Sequence, residues 1–270
     1  MNRIKDWIRP ILQFSAIMTL IVFECIFNAS DLLDSFIENV GFQNSELPDW
    51  LRIASAYGRW PLSIAVLIIV WLWIRRVNKE AVINPDNNIY HEHAYFSYYI
   101  CSKFLGYKKC RLKGVPIPIQ VKLVVSGVFE DFIINEGIHT APEKDKAKVK
   151  LPKTYTSTVN IIICDTYKAT LKQLPGSVLQ FSTVEIDRSS DDHTRYDSEE
   201  LIKSVISTIR NLPKTVTELN VFMTTNPKNT YRIAKEAFAI AGRDRIKHIY
   251  VFSQEKEEPR NYESKGLKIF

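Results

Sequence analysis

Glycine is scarce in this chain: nine occur in 270 residues, and none of them cluster. A loop that wraps a triphosphate needs several backbone amides brought close together, which clustered glycines make possible. The G-x-x-x-x-G-K, G-x-G-x-x-G, H-E-x-x-H and G-x-S-x-G patterns are all missing. Standard nucleotide-hydrolysing, dinucleotide-binding, zinc-protease and serine-hydrolase signatures are therefore absent, and no catalytic residue is assigned. Missing motifs leave an enzyme possible in principle but move the expectation toward a sensor. Cysteine is also sparse. Cys25, Cys101, Cys110 and Cys164 have no paired spacing of a disulfide framework. Cys164 lies inside an apolar run, which predicts a buried, reduced thiol and a reducing compartment. No small-residue cleavage site follows the first apolar run, so that run is expected to stay in the protein. Internal repeats and low-complexity tracts are not found.

What is present divides sharply along the chain. A mean hydropathy of -0.12 averages two unlike regions. Pro10–Ala29 and Trp60–Ile74 are almost wholly apolar. The first, at ~1.5 Å rise per residue, spans about 30 Å, the depth of a hydrocarbon core. The second is shorter, and snorkelling of Arg59, Arg75 and Arg76 or local thinning of the bilayer would make up the difference. Trp60, Trp71 and Trp73 stand near its ends, where indole prefers the headgroup boundary. Two transmembrane helices are predicted within residues 1–80; the competing reading is a pair of buried core helices. Lysine and arginine flank the pair on one side (Arg3, Lys5, Arg9; Arg75, Arg76, Lys79). The connecting loop is acidic and contains a possible amphipathic turn at Leu32, Leu33, Phe36 and Ile37. Both termini are thus expected in the cytoplasm. Glu24 inside the first run is either a functional carboxylate facing an interface or water path, or a group near the outer headgroups.

Residues 81–153 are predicted to hold a polar linker, an aromatic helix over Ile89–Tyr107 stopped at Gly106, and a small antiparallel β-unit. That unit would use Lys108–Leu112, Ile117–Phe129 and Phe132–Ile138. The charged run 141–153 reads as an exposed linker. From residue 154 the pattern changes. Continuous apolar runs at 157–165, 178–186, 218–225 and 247–253 alternate with helical spacing at 197–212 and 226–242. Asp197 and Glu200 form a capping-box pattern at the first of these helices. Strand–helix alternation implies right-handed crossovers and a mainly parallel, Rossmann-like sheet. The expected fold class is a membrane α-helical hairpin plus a cytoplasmic α/β domain.

In such sheets ligands sit at the carboxyl ends of the strands. Here those ends are Asp165 and Thr166, the loop 187–197, residues 224–229, and Ser253 with Gln254. The segment TTNPKNT follows a strand and opens a helix, placing hydroxyls, amides, free N–H groups and Lys228 at a positive helix end. The predicted anion site is Asp165, Thr166, Thr224, Thr225, Asn226, Lys228 and Asn229, with Arg232 one turn on. Helix capping by Thr225 or Asn226 with Pro227 at the first position is the alternative. The loop 188–200 with His193 is either a metal site or a solvated surface. His91, His93, Cys101 and Cys110 have no common zinc spacing, so no metal site is assigned.

LNVFMTTNPKNTYRIAKEAFAIAGRDRIKHIYVFSQ (219–254) resembles the nucleotide-sensing SAVED and CARF domains of bacterial antiviral systems. The likeness is a strand ending in small polar residues, a proline, an alanine-bearing helix closed by Gly242 and Arg243, and an I-x-V-F strand. This resemblance implies a receptor for a cyclic oligonucleotide made by a partner synthase, with no other cofactor. Joined to two membrane helices, it resembles the effector of a CBASS-type system. Such a protein would be a multi-pass protein of the bacterial inner membrane that forms homo-oligomers and disrupts the lipid bilayer. Two other readings remain: a membrane-tethered enzyme on nucleotides or nucleic acids using Asp165 and Asp187 with a divalent ion, and a non-catalytic subunit docking through 89–138.

Overall fold

The computed structural model describes residues 7–26, 35, 59–86, 89–134, 138–142, 146–188, 195–241 and 245–270. It divides into two compact units, Met1–Pro85 with Ile100–Lys109, and Asp86–Tyr99 with Cys110–Phe270.

The first unit is built on α1 (Ile8–Ile26) and α2 (Arg59–Asn78). The described part of the first run and the whole of the second are helical, but the expected membrane hairpin over Pro10–Ala29 and Trp60–Ile74 is not borne out. Among the described residues no helix is long and apolar enough to cross a membrane. The physical reason lies in the polar residues along them. Arg9 and Gln13 near the start of α1, and Arg75, Arg76 and Asn78 in the last turn of α2, shorten the apolar stretch of each described helix. Most of them are used for bonds inside the protein. Asn78, fully buried, accepts from Gln13 Nε2 at 2.9 Å and Arg9 Nη2 at 3.1 Å, and donates to Gln13 Oε1 at 2.8 Å and the Leu105 carbonyl at 2.9 Å. Arg75 Nη1 donates to the Lys103 carbonyl at 2.5 Å, and Trp71 Nε1 to that of Phe104 at 2.8 Å. The side chain of Glu24, the acidic inter-helix loop and its amphipathic turn lie outside the described residues.

The aromatic stretch is helical from α3 (Tyr95–Tyr99) through a π-turn at Ile100–Phe104. It stops at Gly106, whose φ of 81° lies in the left-handed region where L-residues are strained. A Cβ there would sit 2.9 Å from both Cα and Cβ of Arg75. Gly106→Ala is expected to lower the stability of the first unit by about 1–3 kcal/mol, read as faster amide exchange across residues 100–109. Unchanged protection would refute the argument.

The second unit is a mixed α/β domain. The short strand β1 (Val82–Ile83) belongs to the first unit; after β2 (Lys109–Arg111), residues 117–125 form a helix, α4 (Ile117–Val125), where a strand was expected. Pro116 and Pro118 sit at its start, where proline's missing N–H is harmless. Val121 is buried in the core and Ile117, Val124 and Val125 pack on it, the i, i+4, i+7, i+8 spacing of a helix face. Of the expected β-unit only short strands form, β2 and its neighbour β3 (Asp131–Ile133), while β4 (His139–Thr140) lies beyond it in a separate two-stranded ladder.

The main sheet has six strands: β5 (Lys148–Lys150), β6 (Thr158–Cys164), β7 (Ser182–Asp187), β9 (Glu218–Met223), β10 (His248–Phe252) and β11 (Leu267–Lys268), in the order β11-β10-β9-β6-β7-β5. The central four are parallel, while β5 and β11 pair antiparallel at the edges. The sheet is therefore mixed. The run read as a linker supplies one of those edges. A two-residue β8 (Tyr196–Asp197) pairs with β4.

One face is covered by α4, α5 (Glu199–Asn211) and α6 (Pro227–Ile233), the last continuing through a π-turn at Ala234–Phe238. Ile161, Val184, Val221, Val251, Val205, Ile233 and Phe238 form the core on this side. On the other face Ile162, Cys164, Phe222 and Phe252 meet Leu174, Val178 and Tyr262 from connecting segments and 3-10 turns. Among the described residues the packed α-helices lie on one face and 3-10 turns and connecting segments on the other, so the mainly parallel, Rossmann-like sheet that was expected is not confirmed. Cys164 is buried and free, and burial pushes its thiol up to about 11.

Candidate ligand site at the carboxyl ends of the strands

β6 connects to β7 on one side, and the chain then crosses to β9 on the other, so strand order reverses between β6 and β9. At such a switch point the two loops diverge and leave a crevice at the carboxyl ends. Asp165 and Thr166 leave β6 there, and residues 224–229 leave β9. The structure brings these predicted residues together, but in a buried network.

Asp165 is 0% exposed. Its Oδ1 accepts from Arg188 Nη1 at 2.6 Å. Its Oδ2 accepts from the Asn226 backbone N–H at 3.1 Å, Asn226 Nδ2 at 2.9 Å and Asn229 Nδ2 at 2.9 Å. The same two amides also donate to the Tyr196 carbonyl. Asn229 Oδ1 accepts from the Ser198 N–H at 3.2 Å. Thr166 Oγ1 donates to the Thr224 carbonyl at 2.6 Å, and Thr224 Oγ1 to that of Tyr167 at 2.7 Å. Thr225 and Thr230 hydroxyls lie 2.7 Å apart. Asn226 Oδ1 caps α6 by accepting from Lys228 N–H and Asn229 N–H, so the capping role is filled. An anion does sit at this helix end, and it is the protein's own Asp165.

Burial pushes the Asp165 carboxyl above the usual carboxylate range, against the pull of Asn229, Asn226 and Arg188. Arg188 is the decisive residue that the sequence reading left unassigned. It follows β7 directly and its guanidinium lies 5.1 Å from the Tyr196 ring centroid. Its position immediately after a strand was the available signal, obscured by the acidic run that follows it. Residues 189–194 of that run, including His193, lie outside the described residues, as do Gly242 and Arg243.

Lys228 and Arg232 are the members of the predicted set that reach solvent. Lys228 Nζ lies 2.8 Å from Asp197 Oδ2. Arg232 pairs with Asp197 at 3.2 Å, Glu199 at 2.7 Å and Glu236 at 3.0 Å. Asp197 does not cap α5; Ser198 does, accepting from the Leu201 N–H at 3.1 Å. Burial works to raise the Asp197 carboxyl, but hydrogen bonds from Lys228 and Arg232 outweigh it and hold it below the usual range. A carboxyl whose folded pKa is depressed contributes stability that is present above the unfolded value of about 3.9 and lost on acidification. Asp197→Asn is accordingly expected to shallow the fall in Tm between about pH 5 and pH 3. Equal slopes for wild type and variant would refute this.

Asp187, the other acid considered for chemistry, lies 3.5 Å from Lys168. Among the described residues no three His, Cys, Asp or Glu side chains come together to hold a metal. A cavity of about 360 Å³ opens at the amino-end side of the sheet, between Ile206, Arg210, Ile240 and Arg245, away from the predicted residues.

No curated protein sequence is significantly similar to the chain. Among solved structures, the Acinetobacter baumannii Cap4 SAVED/CARF-domain containing receptor with the cyclic trinucleotide 2'3'3'-cAAA aligns at a TM-score of 0.45 and 8% identity, covering 65% of this chain and 42% of that one. The same receptor with 3'3'3'-cAAA aligns at 0.44 and 8% identity, with the same coverage. A further structure of it gives 0.40 at 8% identity, covering 65% of this chain and 39% of that one. The chain thus spans less than half the length of these receptors. The sequence model of the SMODS- and Ubiquitin system-associated 2TM effector domain matches residues 9–269, and the chain belongs to that family.

Proposed function

We propose that this chain is a signal-gated effector: its second unit binds a cyclic oligonucleotide made by a partner synthase, and binding drives homo-oligomerisation and disruption of a lipid bilayer. The observation that carries the reading is the joining of two features in one effector-family chain. One is a parallel four-strand array whose carboxyl ends bring polar and cationic side chains together. The other is a pair of helices with large apolar side chains left in the open. Ile11, Leu12, Phe14 and Met18 on α1 are exposed, as are Ile68, Ile69, Leu72 and Trp73 on α2. Apolar surface on that scale marks a membrane or protein contact. Trp73 suits the headgroup boundary, and the exposed Arg76 in the last turn of α2 suits anionic lipid.

In this reading the Asp165–Arg188 network is a frame. It fixes the loops after β6, β7 and β9, and leaves Lys228 and Arg232 at the surface to exchange carboxylate partners for phosphate. The test uses the purified full chain and a panel comprising 3'3'3'-cAAA, 2'3'3'-cAAA and cyclic dinucleotides. Calorimetry is expected to give saturable binding of at least one, with a shift to a larger species in light scattering. Co-expression with a synthase of that product is expected to depolarise cells within the time of growth arrest. Absence of binding across the panel, or arrest with membrane potential intact, would overturn the proposal.

A further inference from the structure

The polar frame occupies the β6–β9 crevice, yet the carboxyl edge continues toward β10, and there its character changes. Tyr167, two residues beyond Asp165, donates its hydroxyl to Gln254 Oε1 at 2.5 Å. Gln254 Nε2 in turn donates to the Arg260 carbonyl at 2.8 Å. The Arg260 guanidinium lies 5.0 Å from the Tyr167 ring centroid, and Lys256 Nζ lies 4.7 Å from that of Tyr90. Tyr90 is 64% exposed. Tyr90 also lies close enough to Tyr167 to act on its hydroxyl electrostatically, so two tyrosine rings and two cations share one patch beside the strand ends. A flat π-face next to a solvent-reaching cation is what a nucleobase with its phosphate requires.

The backbone supplies an independent observation. Arg260 has a φ of 56°, in the left-handed region that a glycine or asparagine adopts far more easily. That conformation is held on both sides. The Arg260 N–H donates to the Glu257 carbonyl at 2.8 Å, and its carbonyl accepts from Gln254 and, at 3.5 Å, from Gln173 Nε2. A long cationic side chain kept at a strained position, where its backbone gains nothing from it, is the pattern that accompanies functional sites. The Arg260 guanidinium, which also hydrogen-bonds the Tyr167 side chain, pairs with the exposed Glu258 at 2.9 Å, and Lys256 pairs with the partly exposed Glu92. Exposed pairs of this kind are weak and exchange readily for phosphate.

We infer that Tyr90, Tyr167, Lys256 and Arg260 form the nucleotide-recognition surface of this chain: a base stacks on the Tyr90 ring, and its phosphate is taken by Arg260 and Lys256. Tyr167 and Gln254 are positioning residues that aim the guanidinium. The inference rests on the receptor reading above and adds a base-stacking surface to the cations Lys228 and Arg232 named there.

Tyr90→Ala and Arg260→Asn in the full chain test it. Tyr90 is exposed, and asparagine suits the φ at position 260, so both variants are expected to keep the wild-type Tm, with Arg260→Asn equal or higher. Each is expected to weaken binding of whichever panel member the wild type takes by about tenfold or more. Wild-type affinity in both Tyr90→Ala and Arg260→Asn, with binding otherwise intact, overturns the surface while leaving the receptor reading standing. No binding by the wild type overturns both. Linear ApApA binding as tightly as the cyclic ligands overturns it in favour of an RNA-binding face.

Discussion

Asp165→Ala is expected to lower the Tm of the second unit by roughly 10 °C, the largest single-residue loss in this molecule. Both partners are buried, with Asp165 fully enclosed and the Arg188 side chain only 3% exposed. Removing the carboxylate takes from a guanidinium in a water-poor site its bond to Asp165 Oδ1. It also leaves three amide donors of Asn226 and Asn229 short of an acceptor. Breaking a buried pair from one side costs about 3–5 kcal/mol, and a domain of this size loses about 2–4 °C per kcal/mol. Asp165→Asn should do no better, because its NH2 would face donors. Arg188→Leu should be nearly as damaging, leaving the carboxylate to those amides alone. The double variant Asp165→Leu/Arg188→Leu is expected to recover part of the loss, since two apolar groups of similar volume need no partners. Additive losses in the double variant would show that the two side chains act separately.

The same network marks how far sequence reasoning reaches. Runs 157–165, 218–225 and 247–253 were legible as strands because they are buried on both faces, which leaves an unbroken apolar signature. Residues 165–166 and 224–229 were legible as neighbours because each follows such a strand. Their burial was not legible. It depends on Arg188, which sits 23 residues along the chain from its partner and beside an acidic run that looks solvated. Ile117–Val125 was misread because its β-branched residues favour strands locally, while the spacing 117, 121, 124, 125 serves a helix packed on the core. Lys148–Lys150 was misread for the opposite reason. All three residues of this edge strand are exposed, so no apolar period betrays it. Tyr90, Tyr167 and Arg260 carry no motif at all. They lie 77 and 93 residues apart in the sequence, and only the fold places two of the rings beside cations.

The helical pair holds the other large effect. Asn78→Leu is expected to speed amide exchange in α1 by about thirtyfold or more, without changing the thermal transition of the second unit. Asn78 closes α2 with a reciprocal amide pair to Gln13 and a further bond to the Leu105 carbonyl. Leucine matches its volume and offers none of these bonds. Arg9 Nη2 would lose its acceptor, although it keeps a long contact to the Val77 carbonyl at 3.4 Å. Gln13 would retain only the Tyr107 hydroxyl at 3.2 Å. Each buried group left without a partner costs about 1–3 kcal/mol, and about 2 kcal/mol already corresponds to thirtyfold in a local opening equilibrium. The apolar side chains that α1 and α2 turn outward do not compensate, because they touch little of the unit's interior. Asn78→Asp separates the two halves of the argument. It keeps the acceptors for Arg9 and Gln13 but removes the donors, so its exchange rate is expected to fall between those of wild type and Asn78→Leu. If all three proteins exchange α1 at the same rate, the amide clasp does not hold that helix, and apolar contact with α2 alone does.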